Sequence, residues 1–109
     1  MSGDVSVSAG NAGVSLTEAQ VQTVRGVFDA VMPGAQIWVF GSRATGRARP
    51  FSDLDLLVAP ALDWGQRAAL RDAFECSDLP FRVDLVEADS LSVGFAARVN
   101  AERKPLPAT

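Results

Sequence analysis

The sequence predicts an α+β domain with a small mixed β-sheet and helices packed on one side, in the order α-β-β-α-β-α. Three observations carry this. Short β-branched or aromatic runs recur at 37–40, 53–59 and 81–87. The segments around them place apolar residues at three- and four-residue spacing. A chain of 109 residues with 48% hydrophobic content supplies one core and is too short for two.

Residues 1–15 are dominated by Ser, Gly, Ala, Val and Asn with no sustained period, which predicts a flexible leader outside the core. Residues 16–105 form the single expected domain, with 106–109 as a tail. Thr17 and Gln20 make a capping box, and Leu16 with Val21 makes the accompanying hydrophobic staple, so a helix starts here. Val21, Val24, Phe28 and Val31 give it one apolar face, and Pro33-Gly34 ends it. Ile37-Trp38-Val39-Phe40 is short and apolar enough for a buried strand that stops at Gly41. An Arg-rich loop follows, then a second strand over 53–59, ended by Pro60. Asp63 caps a helix to about residue 77, with Trp64, Ala68, Leu70 and Phe74 available to pack. A third strand covers 81–87, with Val83 and Leu85 alternating against Arg82, Asp84 and Val86. Asp89 or Ser90 caps a last helix to about residue 103, after which Pro105 and Pro107 fray the tail. Cys76 and the two tryptophans are expected to fill the core.

Composition removes several kinds of chemistry. A net charge of −3 argues against a free-standing nucleic-acid binder, because affinity for a polyanion rests on many Lys and Arg. With no histidine and one cysteine, the chain holds no Cys/His zinc set, no Ser-His or Cys-His pair and no internal disulfide. No stretch approaches the ~18 apolar residues of a membrane span, and the start MSGDVSVSAG lacks the regions of a signal peptide, so the expected location is cytoplasmic.

The stretch FGSRATGRARPFSDLDLL at 40–57 carries the chemistry. On a strand, residues two apart share one face about 6.6 Å apart, so Asp53 and Asp55 project together. Two carboxylates at about 6 Å repel by roughly 3 kcal/mol at an effective dielectric of about 20, which a cation would offset. Mg²⁺ suits the place, since one or two carboxylates plus substrate phosphates usually hold it. Taken alone, D-x-D is more often the exposed face of an edge strand. Asp84 strengthens the metal reading: it lies between Val83 and Leu85, an unfavourable position for a charge without a partner. If its strand neighbours the second strand, three acids share a face and could hold two metal ions. The competing account of Asp84 is a salt bridge to Arg82 or Arg49. Gly41 lets the backbone approach closely, and the Ser42 hydroxyl with nearby amides can bond phosphate oxygens. Neither a Walker A loop nor a dinucleotide fingerprint is present.

Together G41-S42-R43-A44-T45-G46, S52-D53-L54-D55-L56 and V83-D84-L85 resemble the minimal nucleotidyltransferases of the DNA polymerase β superfamily, over about residues 17–105. The resemblance implies a polymerase-β-like fold. It assigns Asp53 and Asp55 to metal binding and Asp84 to bridging or to the base. Gly41 and Ser42 would hold the phosphates of ATP. Arg43 either touches phosphate as well or is a solvated loop residue, and the solvated reading is favoured for Arg47 and Arg49. The implied reaction is Mg²⁺-dependent AMP transfer from ATP to a hydroxyl. Small members of this type resemble antitoxins that modify a tyrosine of a HEPN-family RNase toxin, so the implied partner is such a toxin. The shortness of the chain suggests that a protein partner or self-association recognises the acceptor, with the last helix and the Trp64 region as surfaces. The alternatives are a nucleotide-binding module that silences a partner by docking, and a nucleotidyltransferase acting on a small molecule or RNA.

Overall fold

In the computed structural model, which describes residues 13–107, four strands form one mixed sheet. They are β1 (Gln36–Phe40), β2 (Leu54–Ala59), β3 (Val83–Glu87) and β4 (Lys104–Pro105), in the order β3-β2-β1-β4. β1 pairs antiparallel with β2 and with β4, whereas β2 and β3 run parallel. A parallel pair needs a crossover, and the helix α3 (Trp64–Glu75) supplies it. The other helices are α1 (Glu18–Val31), a single turn α2 (Ser42–Thr45) and α4 (Val93–Glu102).

Local chemistry sets the helix starts. Thr17 Oγ1 accepts from the Gln20 amide while Gln20 Oε1 accepts from the Thr17 amide, and Asp63 with Gln66 repeats this at α3. The α1 face predicted from its spacing is the buried one, with Val21, Val24 and Phe28 in the core. Phe28 meets Phe74 of α3 edge to face at 5.8 Å.

Strand alternation divides the packing. Ile37, Val39, Leu54, Leu56 and Val58 join α1 and α3 in the main core. Phe40 and Leu57 point the other way and pack with Val99 of α4. The expectation of helices on one side is therefore corrected: α1 and α3 cover one face and α4 covers the opposite one. The reason is visible in β1 and β2, whose apolar residues occupy both faces, so each face needs a cover.

Other boundaries shift. β2 begins at Leu54 and β3 at Val83, so Asp53 and Arg82 immediately precede their strands. The last helix is capped by Ser92, which accepts from the Phe95 amide, because Ala88–Ser90 forms a separate 3₁₀ turn. Most of the expected leader, 1–12, lies outside the described residues, as do 108–109. Val14, however, is buried in the core, and Ser15 exchanges main-chain and side-chain hydrogen bonds with Arg43. Leu106, expected in the tail, is also buried, carried inward by the β4 pairing. Cys76 is exposed and Trp64 is 83% exposed, so neither fills the core. Each lies at an end of α3, outside the stripe that carries Leu70 and Phe74.

Candidate active site

The corner after β1 is formed by Gly41, whose φ of +73° falls in the left-handed region that glycine favours. A Cβ at this position would collide with Asp55 Oδ2 and lie 3.3 Å from Asp55 Cγ. The glycine therefore answers two demands at once, a backbone turn and the close approach of a carboxylate. Ser42 opens α2 directly behind it, half-buried.

Asp55 is the register partner of Phe40 on one side and of Asp84 on the other. Asp55 and Asp84 thus share the face that α4 covers, and Asp53, two residues before Asp55, completes the group. Burial pushes the Asp55 carboxyl above the usual carboxylate range, and the charges of Asp84 and Asp53 push it further. Arg98 opposes this and Glu102 adds to it. Asp53 and Asp84 are exposed, while Asp55 is half-buried. The salt-bridge account of Asp84 is not what the structure has: among the described residues the ion pairs are Arg67–Glu87 and Arg98–Glu102.

Arg43 differs from both expectations for it, being buried with its guanidinium engaged by main-chain carbonyls. It is 5% exposed, and its guanidinium donates to the carbonyls of Ser15, Arg49, Pro50 and Ser52 at 2.7–3.2 Å. It also lies 4.0 Å over the Phe81 ring. Burial lowers its pKa, against the opposing pull of Asp53. Arg43 thus ties the loop that ends in Asp53 to the body of the protein.

Two charged residues near Asp55 were missed by sequence reasoning. Glu102 Oε1 accepts from the Gly41 amide at 3.1 Å, and Arg98 donates to Glu102 Oε2 at 3.3 Å. In sequence they form an ordinary i,i+4 pair on a helix face. Only the placement of α4 over the acid face gives them a site neighbour.

The donor set suits Mg²⁺, which takes oxygen ligands and leaves positions for phosphate and water. Among the described residues no three acidic, Cys or His side chains close into a single metal cluster. The acids match an ion held by one or two carboxylates together with a nucleotide, and the crowded charge that raises Asp55 is what such a cation would relieve.

Residues 21–107 match the family model of a nucleotidyltransferase domain. A relative from Haemophilus influenzae, described as probable protein adenylyltransferase MntA, is 36% identical over 84 residues, covering 75% of this chain and 74% of the relative. Among solved structures, the chain is similar to a toxin-antitoxin with AMP-PNP, with 29% identity and a TM-score of 0.64, covering 82% of this chain and 73% of that one. It is also similar to a chain of the tri-AMPylated Shewanella oneidensis HEPN toxin in complex with MNT antitoxin. There the identity is 25% and the TM-score 0.55, with 82% of this chain and 70% of that one covered.

Proposed function

The chain belongs to the nucleotidyltransferase domain family, and on that premise we propose that it transfers AMP from ATP to a hydroxyl of a partner protein. In this reading it is the antitoxin of a pair whose toxin is a HEPN-type RNase and whose acceptor is a tyrosine. The relative described as a probable protein adenylyltransferase and the tri-AMPylated HEPN toxin in complex with MNT antitoxin support this choice of acceptor class. The observation that carries the reading is the Asp55–Asp84 register pair beside the Gly41 corner.

Asp53 and Asp55, with Asp84 alongside, are the residues that would hold Mg²⁺, two ions in the fullest form. When bound, the metal neutralises charge that develops on the transferring phosphate. Gly41 and Ser42 cradle the phosphates, Gly41 because the backbone can approach closely and Ser42 through its hydroxyl and amide. The acceptor oxygen forms a bond to the α-phosphorus, the bond to the β-phosphate oxygen breaks, and pyrophosphate leaves. Asp84, which is exposed on the outermost strand, would receive the acceptor proton in this reading. The transferring unit is residues 16–105 together with the packed Val14, Ser15 and Leu106. Among the described residues no helix is long and apolar enough to cross a membrane, in keeping with a cytoplasmic role.

The test is transfer of label from radioactive ATP to the co-purified partner, with intact mass reporting AMP-sized increments. Asp53→Ala and Asp55→Ala should abolish transfer and leave the fold intact. If both variants silence the toxin as well as wild type does, silencing is by docking and the enzymatic reading is wrong.

A further inference from the structure

The last helix reaches the corner after β1 through Glu102, and that contact is unusual in its charge. Glu102 brings a further carboxylate to a place where Asp53, Asp55 and Asp84 already crowd, and it adds to the charge that raises Asp55. Repulsion of this kind opposes the arrangement unless the carboxylate makes a compensating contact. Glu102 makes two: Oε1 accepts from the Gly41 amide at 3.1 Å, and Oε2 accepts from Arg98 at 3.3 Å. A carboxylate accepting a main-chain amide makes a charge-assisted bond, stronger than a neutral one.

The carrier of this carboxylate is rigid. Val99, one turn earlier on α4, is fully buried against Phe40 and Leu57, and Phe95 meets Phe40 edge to face at 5.8 Å. Just beyond, Arg103 lies over the Trp38 ring at 4.7 Å, and Lys104 and Pro105 pair with Val39 and Trp38. Glu102 is therefore anchored on both sides to β1, the strand whose end it grips.

We propose that Glu102 is a positioning residue for the transfer reaction: its carboxylate clamps the Gly41 amide from α4 and holds the Gly41-Ser42 turn against Asp55. The inference rests on the assignment of that turn and Asp55 to nucleotide handling. Arg98 orients the clamp by holding the second carboxylate oxygen. Displacing such a turn slightly lowers the rate of transfer more than it weakens ATP binding, because alignment at the phosphorus matters most in the transition state.

The experiment compares Glu102→Ala and Glu102→Gln in the full chain. The readouts are amide exchange at Gly41 by NMR, and kcat and KM for ATP in transfer to the partner. Loss of the acceptor in Glu102→Ala should speed Gly41 exchange about tenfold and lower kcat about tenfold, with KM changed less than about twofold. Glu102→Gln keeps an oxygen acceptor and should restore most of both. Unchanged Gly41 exchange in Glu102→Ala overturns the clamp, and so does equal damage in Glu102→Gln. Faster exchange with unaltered kcat overturns its role in positioning. If Glu102→Ala does not fold, Arg98→Ala serves instead and should give smaller changes in the same direction, whereas no change at Gly41 overturns the proposal. A wild type that modifies no partner defeats the functional reading, while Gly41 exchange still scores the Glu102 clamp on its own.

Discussion

Asp55 of β2 and Asp84 of β3 are register partners across a parallel pair, so two carboxylates from strands distant in sequence face the same side of the sheet. Burial of Asp55, then the charges of Asp84 and Asp53, raise its folded pKa above the ordinary 3.8. A carboxyl with a raised folded pKa contributes stability that is fully present below its unfolded pKa and is lost as pH rises through the folded one. Ionised Asp55 consequently opposes folding at neutral pH. Asp55→Asn should melt higher than wild type at about pH 7, and the two curves should converge in acid below the unfolded carboxylate range. Thermal unfolding across pH checks this, and a wild type more stable than the variant at neutral pH contradicts it.

Gly41→Ala tests the corner itself. Alanine must adopt a positive φ and push its Cβ into the Asp55 carboxylate, so turn and acid cannot both stay in place. The variant should lose about 2 kcal/mol in denaturant unfolding and most of its transfer activity, because the collision falls on the carboxylate assigned to the metal. Retained activity at wild-type stability would mean that the close approach is dispensable.

Much of the fold was legible because the sequence carries local signals of the right kind. Thr17/Gln20 and Asp63 mark helix starts through side-chain bonds within one turn, and Val21, Val24 and Phe28 mark a face by spacing. That Asp55 and Asp84 face the same side of the sheet could also be read, since period-two alternation fixes a face once the strands are neighbours. What escaped notice depends on tertiary placement. The side of the sheet taken by α4 is decided by Phe40 and Leu57 pointing away from the main core, and the approach of Glu102 to Gly41 exists only after that choice. The burial of Val14 and Leu106 likewise comes from contacts with distant segments, for which single apolar residues in polar stretches give no periodic signal.

Arg43 was assigned to phosphate or solvent because loop arginines usually face water, yet its donors meet main-chain carbonyls of the 49–52 turn and of Ser15. A lysine cannot reproduce that planar fork. Arg43→Lys should therefore lower unfolding stability by about 2 kcal/mol, since it leaves partly buried carbonyls without donors. The accompanying loss of transfer should exceed any change in nucleotide affinity. Weakened ATP binding at unchanged stability would instead mark Arg43 as a phosphate contact.

The Arg67–Glu87 pair lies away from the acid face and offers a pH signature of opposite sign. The hydrogen bond from Arg67, and then that from the Leu62 amide, hold the Glu87 carboxyl below its ordinary 4.5. A depressed folded pKa gives stability that is present above the unfolded value and is lost as pH falls through the folded one. Both side chains keep some solvent exposure, so the pair is worth little and salt will weaken it further. Arg67→Ala should lower the melting temperature by a few degrees at neutral pH, leaving the Leu62 contact in place, and the gap from wild type should close on acidification. Because Glu87 is paired with Val58 in the β2–β3 register, three residues beyond Asp84 and so on the opposite face of the sheet, the same variant should leave AMP transfer unchanged. A gap that widens in acid, or a loss of transfer at full stability, would refute this account of the pair.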